Sequence, residues 1–413
     1  MYDFANSAFT TLVVTFIYAT FFTEVLAEDN VAGTTYWSWG VAISAILVAL
    51  VSPFLGAVAE QGGYRKRFLF LSTVLGVVAT ALLYFPVPGQ VAFALVLFVI
   101  ANFAFEVGLV FYNAFLPDLA TPERMGRVSG FAWGLGYLGG LLCLAVALVV
   151  LVMPDTPPFG LDGASGQHIR ATNLLVALWY GIFSIPVFLV VKESKPETTA
   201  SWSTLFADST NQFIATFRDI RRYQSVFRLL LARIFYNDGL VTIIAFGAIY
   251  AAAEFGFETQ DILIFGIVLN VAAGAGALAF GYIDDLIGGK KTLQITIVGL
   301  LLASLLAVLA QEAMWFWVSG IVVGILMGPN QSASRSLMGR FIPDGKQNEF
   351  FGFFAFSGKA TSFIGPLLLG ILNEAFQSQR AGISAVIILF LIGGVLLMFV
   401  DEERGFREAK ASA

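Results

Sequence analysis

A chain of 413 residues that is 58% hydrophobic and only 12% charged, with a mean hydropathy of +0.82, lacks the charge to cover a soluble globule and reads as a polytopic membrane protein. Its net charge of −5 says little about partners, and nothing in it points to nucleic acid. One cysteine, Cys143, inside an apolar run, excludes an intrachain disulfide; with His168 the only histidine and no phosphate-binding or dinucleotide fingerprint, no metal site, cofactor, direct ATP drive or enzymatic nucleophile is expected.

In chain order, apolar runs fall at about 4–26, 36–58, 68–86, 91–115, 128–153 and 171–191, and then at 228–252, 261–283, 292–310, 314–338, 350–375 and 381–400. Each approaches the ~20 residues that cross ~30 Å of hydrocarbon as a helix. The first is long enough to be a span rather than a cleavable leader. It opens Tyr2-Asp3-Phe4-Ala5-Asn6-Ser7, which puts an acid and an amide in an otherwise apolar helix.

The second run ends in Gly56, with Glu60 four residues on, then Gly63 and the basic cluster Arg65, Lys66 and Arg67. The same order returns 225 residues later (281 − 56) as Gly281, Asp285, Gly288, Lys290 and Lys291. A helix-to-loop signature repeated at about half the chain length implies two homologous halves. The expected architecture is thus an all-α integral membrane protein of twelve transmembrane helices in two pseudo-symmetric six-helix halves. Residues 1–191 form the first half, 192–227 a cytoplasmic linker, and 228–413 the second half with a short tail. Within the linker, Trp202, Leu205, Phe206, Phe213, Phe217, Ile220 and Phe227 recur at helical spacing around Arg218, Arg221 and Arg222, as in an amphipathic helix lying on the membrane.

Charge within a span costs at least a few kcal/mol and needs a partner or a wet cavity. On span four, Asn102, Glu106 and Asn113 follow at +4 and +7, one polar stripe on an apolar helix. Glu106 reads either as a substrate or proton site or as a permanently protonated or paired structural acid. On span five, Gly126, Gly130, Gly134, Gly136 and Gly140 give the small-residue spacing of closely packed helices, as does Gly274 to Gly281 on span eight. Span seven clusters Arg233, Tyr236, Asn237 and Asp238; Arg233 and Asp238 point ~140° apart and must each look to another helix. Asp238 is expected to meet Lys359 of span eleven, and Arg233 to bind an anionic group, close the inner gate or form a buried structural pair. On span ten, Asn330 beside Pro329 is expected to line a cavity and Arg335 to sit at a frayed helix end.

Placing the odd-to-even loops outside puts eighteen of the 23 Lys and Arg residues in inner segments and only Arg170 and Arg380 in outer ones, the other three being Arg233, Arg335 and Lys359 in the spans. Both termini are therefore expected in the cytoplasm, with the chain in a cell membrane such as the bacterial inner membrane.

The two glycine-acid-glycine-basic stretches resemble the motif between the second and third helices of each half in major facilitator superfamily transporters. The resemblance implies that Glu60 and Asp285 cap neighbouring helices and that, with Gly56, Gly63, Arg65, Gly281 and Lys290, they hold a cytoplasmic gate. It also places spans one, four, seven and ten around the cavity. The opening Tyr2-Asp3-Phe4-Ala5-Asn6-Ser7-Ala8-Phe9 and Arg233-Ile-Phe-Tyr236-Asn237-Asp238-Gly239 are similar to the Atg22-like, or UMF1, family within that superfamily. This implies solute transport, with the fungal members associated with release of amino acids from the vacuole. Relatives carry a short extension before the opening signature, so a longer natural N-terminus is expected.

The function expected is secondary active transport of a small polar solute by alternating access, coupled to protons through Glu106 and Asp238, in a monomer surrounded by lipid. The solute site is expected among Asp3, Asn6, Asn102, Glu106, Asn113, Arg233, Tyr236, Asn237, Asp238, Asn330 and Lys359. The alternative is a sensor or assembly factor that binds a ligand on this scaffold without moving it.

Overall fold

The computed structural model describes residues 1–154, 156–163, 165–192, 208–211 and 223–411. The amphipathic helix expected within 192–227 falls almost wholly outside them, except that Phe227 belongs to span seven, which begins at Gln224. Among the described residues the chain is helical throughout, and eleven helices are long and apolar enough to cross a membrane. The third of the twelve expected spans is the 18-residue helix Arg65–Leu82, whose first turn is Arg65-Lys66-Arg67. Its basic start reduces its apolar length without shortening the helix, because long cationic side chains at a helix end reach the polar interface.

By backbone contacts the chain divides into two compact units. The first comprises Met1–Ser52, Gly62–Tyr112 and Leu135–Thr199. Its core joins Phe9, Tyr18 and Phe22 of span one to Leu83 of span three, Phe98 and Phe105 of span four, Cys143 of span five and Val176 of span six. Span one is not a regular α-helix, for Phe9–Phe16 and Phe22–Leu26 are wound as π-helix. Such widened turns expose backbone groups and gather at functional positions. Span five approaches span one closely, since a Cβ on Gly139 would overlap the Phe4 carbonyl and one on Gly136 would lie 2.8 Å from Ser7 Oγ. Arg170, one of the two basic residues expected in outer loops, is buried, and its Nη1 donates to the Tyr84 carbonyl at 3.1 Å beyond the end of span three. Lys66 Nζ donates to the Val191 carbonyl at the opposite end of span six, at 2.6 Å.

The second unit comprises Pro53–Gln61, Asn113–Gly134 and Ala200–Ala413. Span ten, Ala313–Phe341, packs against spans eight, Thr259–Ile287, and nine, Gly289–Leu309, while span seven, Gln224–Phe255, packs against span twelve. The start of span five lies on span eight as its glycines require: Cβ atoms on Gly130 and Gly134 would crowd Ala277 O and Leu278. Arg380, the other basic residue expected in an outer loop, pairs with Glu254 at 2.8 Å and donates to Val308 O at 3.0 Å, repeating the arginine-to-carbonyl tie of Arg170. Span eleven differs from the continuous helix expected over 350–375. It runs Gln347–Lys359, turns over Ala360–Phe363, and resumes as Ile364–Phe376.

Candidate functional site

A helix interrupted inside hydrocarbon leaves carbonyls at the end of its first half and N–H groups at the start of its second, with no water to satisfy them. Span seven supplies the partners. Arg233 Nη1 donates to Phe354 O at 2.8 Å and Ser357 Oγ at 3.0 Å, with the guanidinium 3.7 Å from the centre of the Phe354 ring. Asn237 Nδ2, one turn on, donates to Gly358 O at 3.3 Å. Asp238 Oδ2 accepts from Gly365 N at 2.7 Å, capping the second half-helix. Residues four and five apart thus hold the two sides of one break, which explains why Arg233 and Asp238 point away from each other.

The expected ion pair between Asp238 and Lys359 is not formed. A backbone N–H at the start of a half-helix, reinforced by its dipole, takes the carboxylate instead. Lys359 ends the first half-helix, where a cation faces the negative end of the dipole. Asp238 is 2% exposed, and its Oδ1 has no partner among the described residues. Nearby, Tyr236 hydroxyl pairs with Ser334 Oγ of span ten at 2.9 Å, and Asn330 Nδ2 donates to Thr296 Oγ1 at 3.1 Å.

The first unit holds a second polar group around span one. Tyr2 hydroxyl pairs with Thr73 Oγ1 at 2.8 Å and Tyr180 hydroxyl at 2.9 Å, and Tyr112 hydroxyl donates to Asp3 Oδ2 at 3.1 Å. Asn6 is buried one turn further on, its Nδ2 without a partner among the described residues. The stripe expected on span four is divided: Asn102 Nδ2 donates to Ser44 Oγ of span two at 2.7 Å, and Glu106 is half-buried one turn on. Asn113 belongs to the second unit, where its Oδ1 accepts from Arg335 Nη1 at 3.2 Å.

The repeated acids cap helices. Glu60 Oε2 accepts from Asn348 N at 2.6 Å and Asn348 Nδ2 at 3.1 Å, at the start of span eleven. Asp285 accepts from Gly126 N at 2.8 Å and Arg127 N at 3.3 Å, at the start of span five, and from Arg127 Nε at 2.7 Å. Gly56 and Gly281 permit these approaches: a Cβ on Gly56 would overlap Asn348 O, and one on Gly281 would lie 3.0 Å from Arg127 Cα. Gly63 and Gly288 both have positive φ, +61° and +89°, a backbone that favours glycine and lets the chain turn after each acid. Lys290 Nζ donates to Met398 O at the end of span twelve, 3.1 Å, in the manner of Lys66 at the end of span six. Arg65 opens span three.

Sequence reasoning missed the centre of this region. Asp284, 2% exposed, accepts from Arg340 Nη1 at 2.6 Å and from Ser336 Oγ, while Arg340 Nη2 reaches Asp285 at 3.3 Å and its Nε the Pro122 carbonyl at 2.9 Å. Arg335 is not at a frayed end. Span ten continues to Phe341, and Arg335, 4% exposed, donates to Ser129 Oγ at 2.9 Å and Ser129 O at 2.8 Å. Outside the spans, Glu402 accepts from Gly289 N at 3.0 Å; burial pushes its carboxyl above the usual range, opposed by Arg340.

These features, an all-helical chain with eleven apolar spanning helices among the described residues and a duplicated acid-capped turn, are those of a major facilitator transporter. Solved structures of the same fold include the proton:xylose symporter XylE bound to 6-bromo-6-deoxy-D-glucose, with a TM-score of 0.74 at 14% identity over 99% of this chain and 97% of that one. The E. coli fucose:proton symporter FucP aligns with a TM-score of 0.64 at 15% identity, over 97% and 96%.

Residues 25–410 match the profile described as "Vacuole effluxer Atg22 like", and the chain belongs to that Atg22-like family of solute transporters. It is 32% identical to the "Uncharacterized MFS-type transporter YxiO" of Bacillus subtilis, over 98% of this chain and 94% of the relative. It is 23% identical to "Autophagy-related protein 22-1" of Neosartorya fischeri, over 94% of this chain and 77% of the relative.

Proposed function

We propose that this transporter moves an amino acid, or a solute of similar size and polarity, across a cell membrane by alternating access coupled to protons. It works as a monomer built of two six-helix halves joined by a cytoplasmic linker, with both termini in the cytoplasm. The observation that carries the reading is the broken eleventh span. Discontinuous helices present backbone charge to polar solutes in the middle of a bilayer. Here Asp238 keeps one buried carboxylate oxygen uncommitted beside the break. That oxygen accepts either a proton or an ammonium group, and Arg233, Asn237 and Lys359 mark the same level of the helix pair. In the first half, Asp3, Asn6 and Glu106 supply the polar groups that the solute or proton meets. Glu60 and Asp285 latch the cytoplasmic ends and let go when that side opens. The orientation rests on the loop lysines and arginines. The amino-acid class rests on the resemblance to the Atg22-like family, whose fungal members are associated with amino-acid release, and the proton on the named symporters of the same fold.

The test is transport by the full chain in proteoliposomes. A pH gradient is expected to drive accumulation of labelled amino acid in the natural protein. Glu106→Gln is expected to abolish accumulation and retain exchange. Unchanged pH-driven accumulation in that variant would remove Glu106 from the coupling path.

A further inference from the structure

Span seven begins at Gln224 and span twelve ends at Met398, and between these ends lies a cavity of about 400 Å³ lined by Gln224, Phe227, Arg228, Leu231, Leu396 and Phe399. Four of the six walls are apolar, and Phe227 and Phe399 are 37% and 63% exposed. Arg228 is the one charged residue in the lining. Its Nη1 donates to Phe399 O at 2.7 Å, which fixes the guanidinium at the mouth of the cavity. A guanidinium has five N–H donors, and the one bond to Phe399 leaves the others available.

Two further cations stand at the same helix end. Lys290 Nζ donates to Met398 O at 3.1 Å, and Lys291 is exposed beside it. Three of the nearby acids are engaged elsewhere, Glu402 by Gly289 N, Asp401 by Arg404 N, and Glu408 by Arg404 and Ser225 N, while Glu403 is exposed to solvent.

We propose that this cavity is a binding site for an anionic glycerophospholipid, its phosphate on Arg228 and an acyl chain along Phe227, Leu231, Leu396 and Phe399. A guanidinium fork matches a phosphate with two parallel hydrogen bonds, and Lys290 and Lys291 add the surrounding positive charge. Apolar walls at a span end select an amphiphile over a free anion, because they gain only from a chain that leaves water with them. The site is separate from the break in span eleven and does not depend on which solute is carried.

The experiment is thermal unfolding of the purified full chain in detergent. It is titrated with phosphatidylglycerol, phosphatidylcholine and inorganic phosphate, for the natural protein and for Arg228→Ala, Arg228→Gln and Arg404→Ala. Phosphatidylglycerol is expected to raise the midpoint saturably, and phosphatidylcholine and inorganic phosphate are not. Arg228→Ala is expected to weaken the phosphatidylglycerol response about fivefold, the worth of one juxtamembrane cation, and Arg404→Ala to leave it unchanged. Arg228→Gln keeps a donor for Phe399 O without the charge, so it answers the question should the alanine variant fold poorly. Equal responses to the two lipids, an equal response to inorganic phosphate, or an undiminished response in Arg228→Gln would each overturn the proposal.

Discussion

At the end of span two, Glu60 accepts both bonds from Asn348 through one oxygen, Oε2, and the residue before it is the buried Ala59. At the end of span eight, Asp285 caps span five through both oxygens, and the residue before it is Asp284, held by Arg340 and Ser336. The copies share the backbone device, a glycine for close approach, an acid for the neighbouring helix start and a glycine with positive φ. They differ in side-chain charge, and a second carboxylate stands where the first copy has a methyl group. Duplication has kept what the turn needs geometrically, while the second copy has gained a buried lattice of two acids and the arginine that span ten contributes.

The largest effect is expected from Arg340→Ala, which strands Asp284 at 2% exposure. Removing one partner of a buried pair costs about 3–5 kcal/mol, so the thermal midpoint should fall steeply. A fall no greater than that of a surface arginine such as Arg404→Ala would mean that the lattice adds nothing.

The carboxylates themselves come next. Asp285→Asn keeps the shape but gives up charge on its bonds to Gly126, Arg127 and Arg340, and Glu60→Gln does so on its bonds to Asn348. Charge-assisted bonds are about twice as strong as neutral ones, so losses of about 2–3 and about 1–1.5 kcal/mol are expected in the same unfolding assay. The reverse order would place the stronger latch in the first copy.

The smallest pair concerns the turns. Gly63→Ala and Gly288→Ala each force a Cβ into the left-handed region, at about 1 kcal/mol. Gly288→Ala should cost somewhat more, because its Cβ would also lie 3.0 Å from Glu402 Oε2. Equal and negligible effects would show that the turns relax without glycine.

Periodicity and repetition made most of the fold legible. The twelve spans, the duplicated turn, the helix-capping role implied for Glu60 and Asp285, and the packing of span five through Gly130 and Gly134 could all be read from composition, spacing and resemblance. The Asp284–Ser336–Arg340 group was not, because its members lie 52 and 56 residues apart and Arg340 alone looks like one more basic residue at a span end. The break in span eleven was equally hidden. At residues 360–363 the backbone bonding tightens, with Ser362 N on Lys359 O and Ile364 N on Thr361 O; Lys359, Thr361 and Ser362 are the only local polar signal, and the groups that hold the break, Arg233, Asn237 and Asp238, sit on another span. The sequence marks Asp238 as needing a partner on another helix, but not that the partner is a backbone N–H.

Counterflow of labelled amino acid through Asp238→Asn in proteoliposomes, beside the natural protein, bears most directly on the break as the place where solute is held. The asparagine retains an oxygen to cap Gly365 but carries no charge. Exchange is expected to be lost while the thermal midpoint stays within a few degrees of the natural protein; exchange at the natural rate would show that the solute passes without using Asp238.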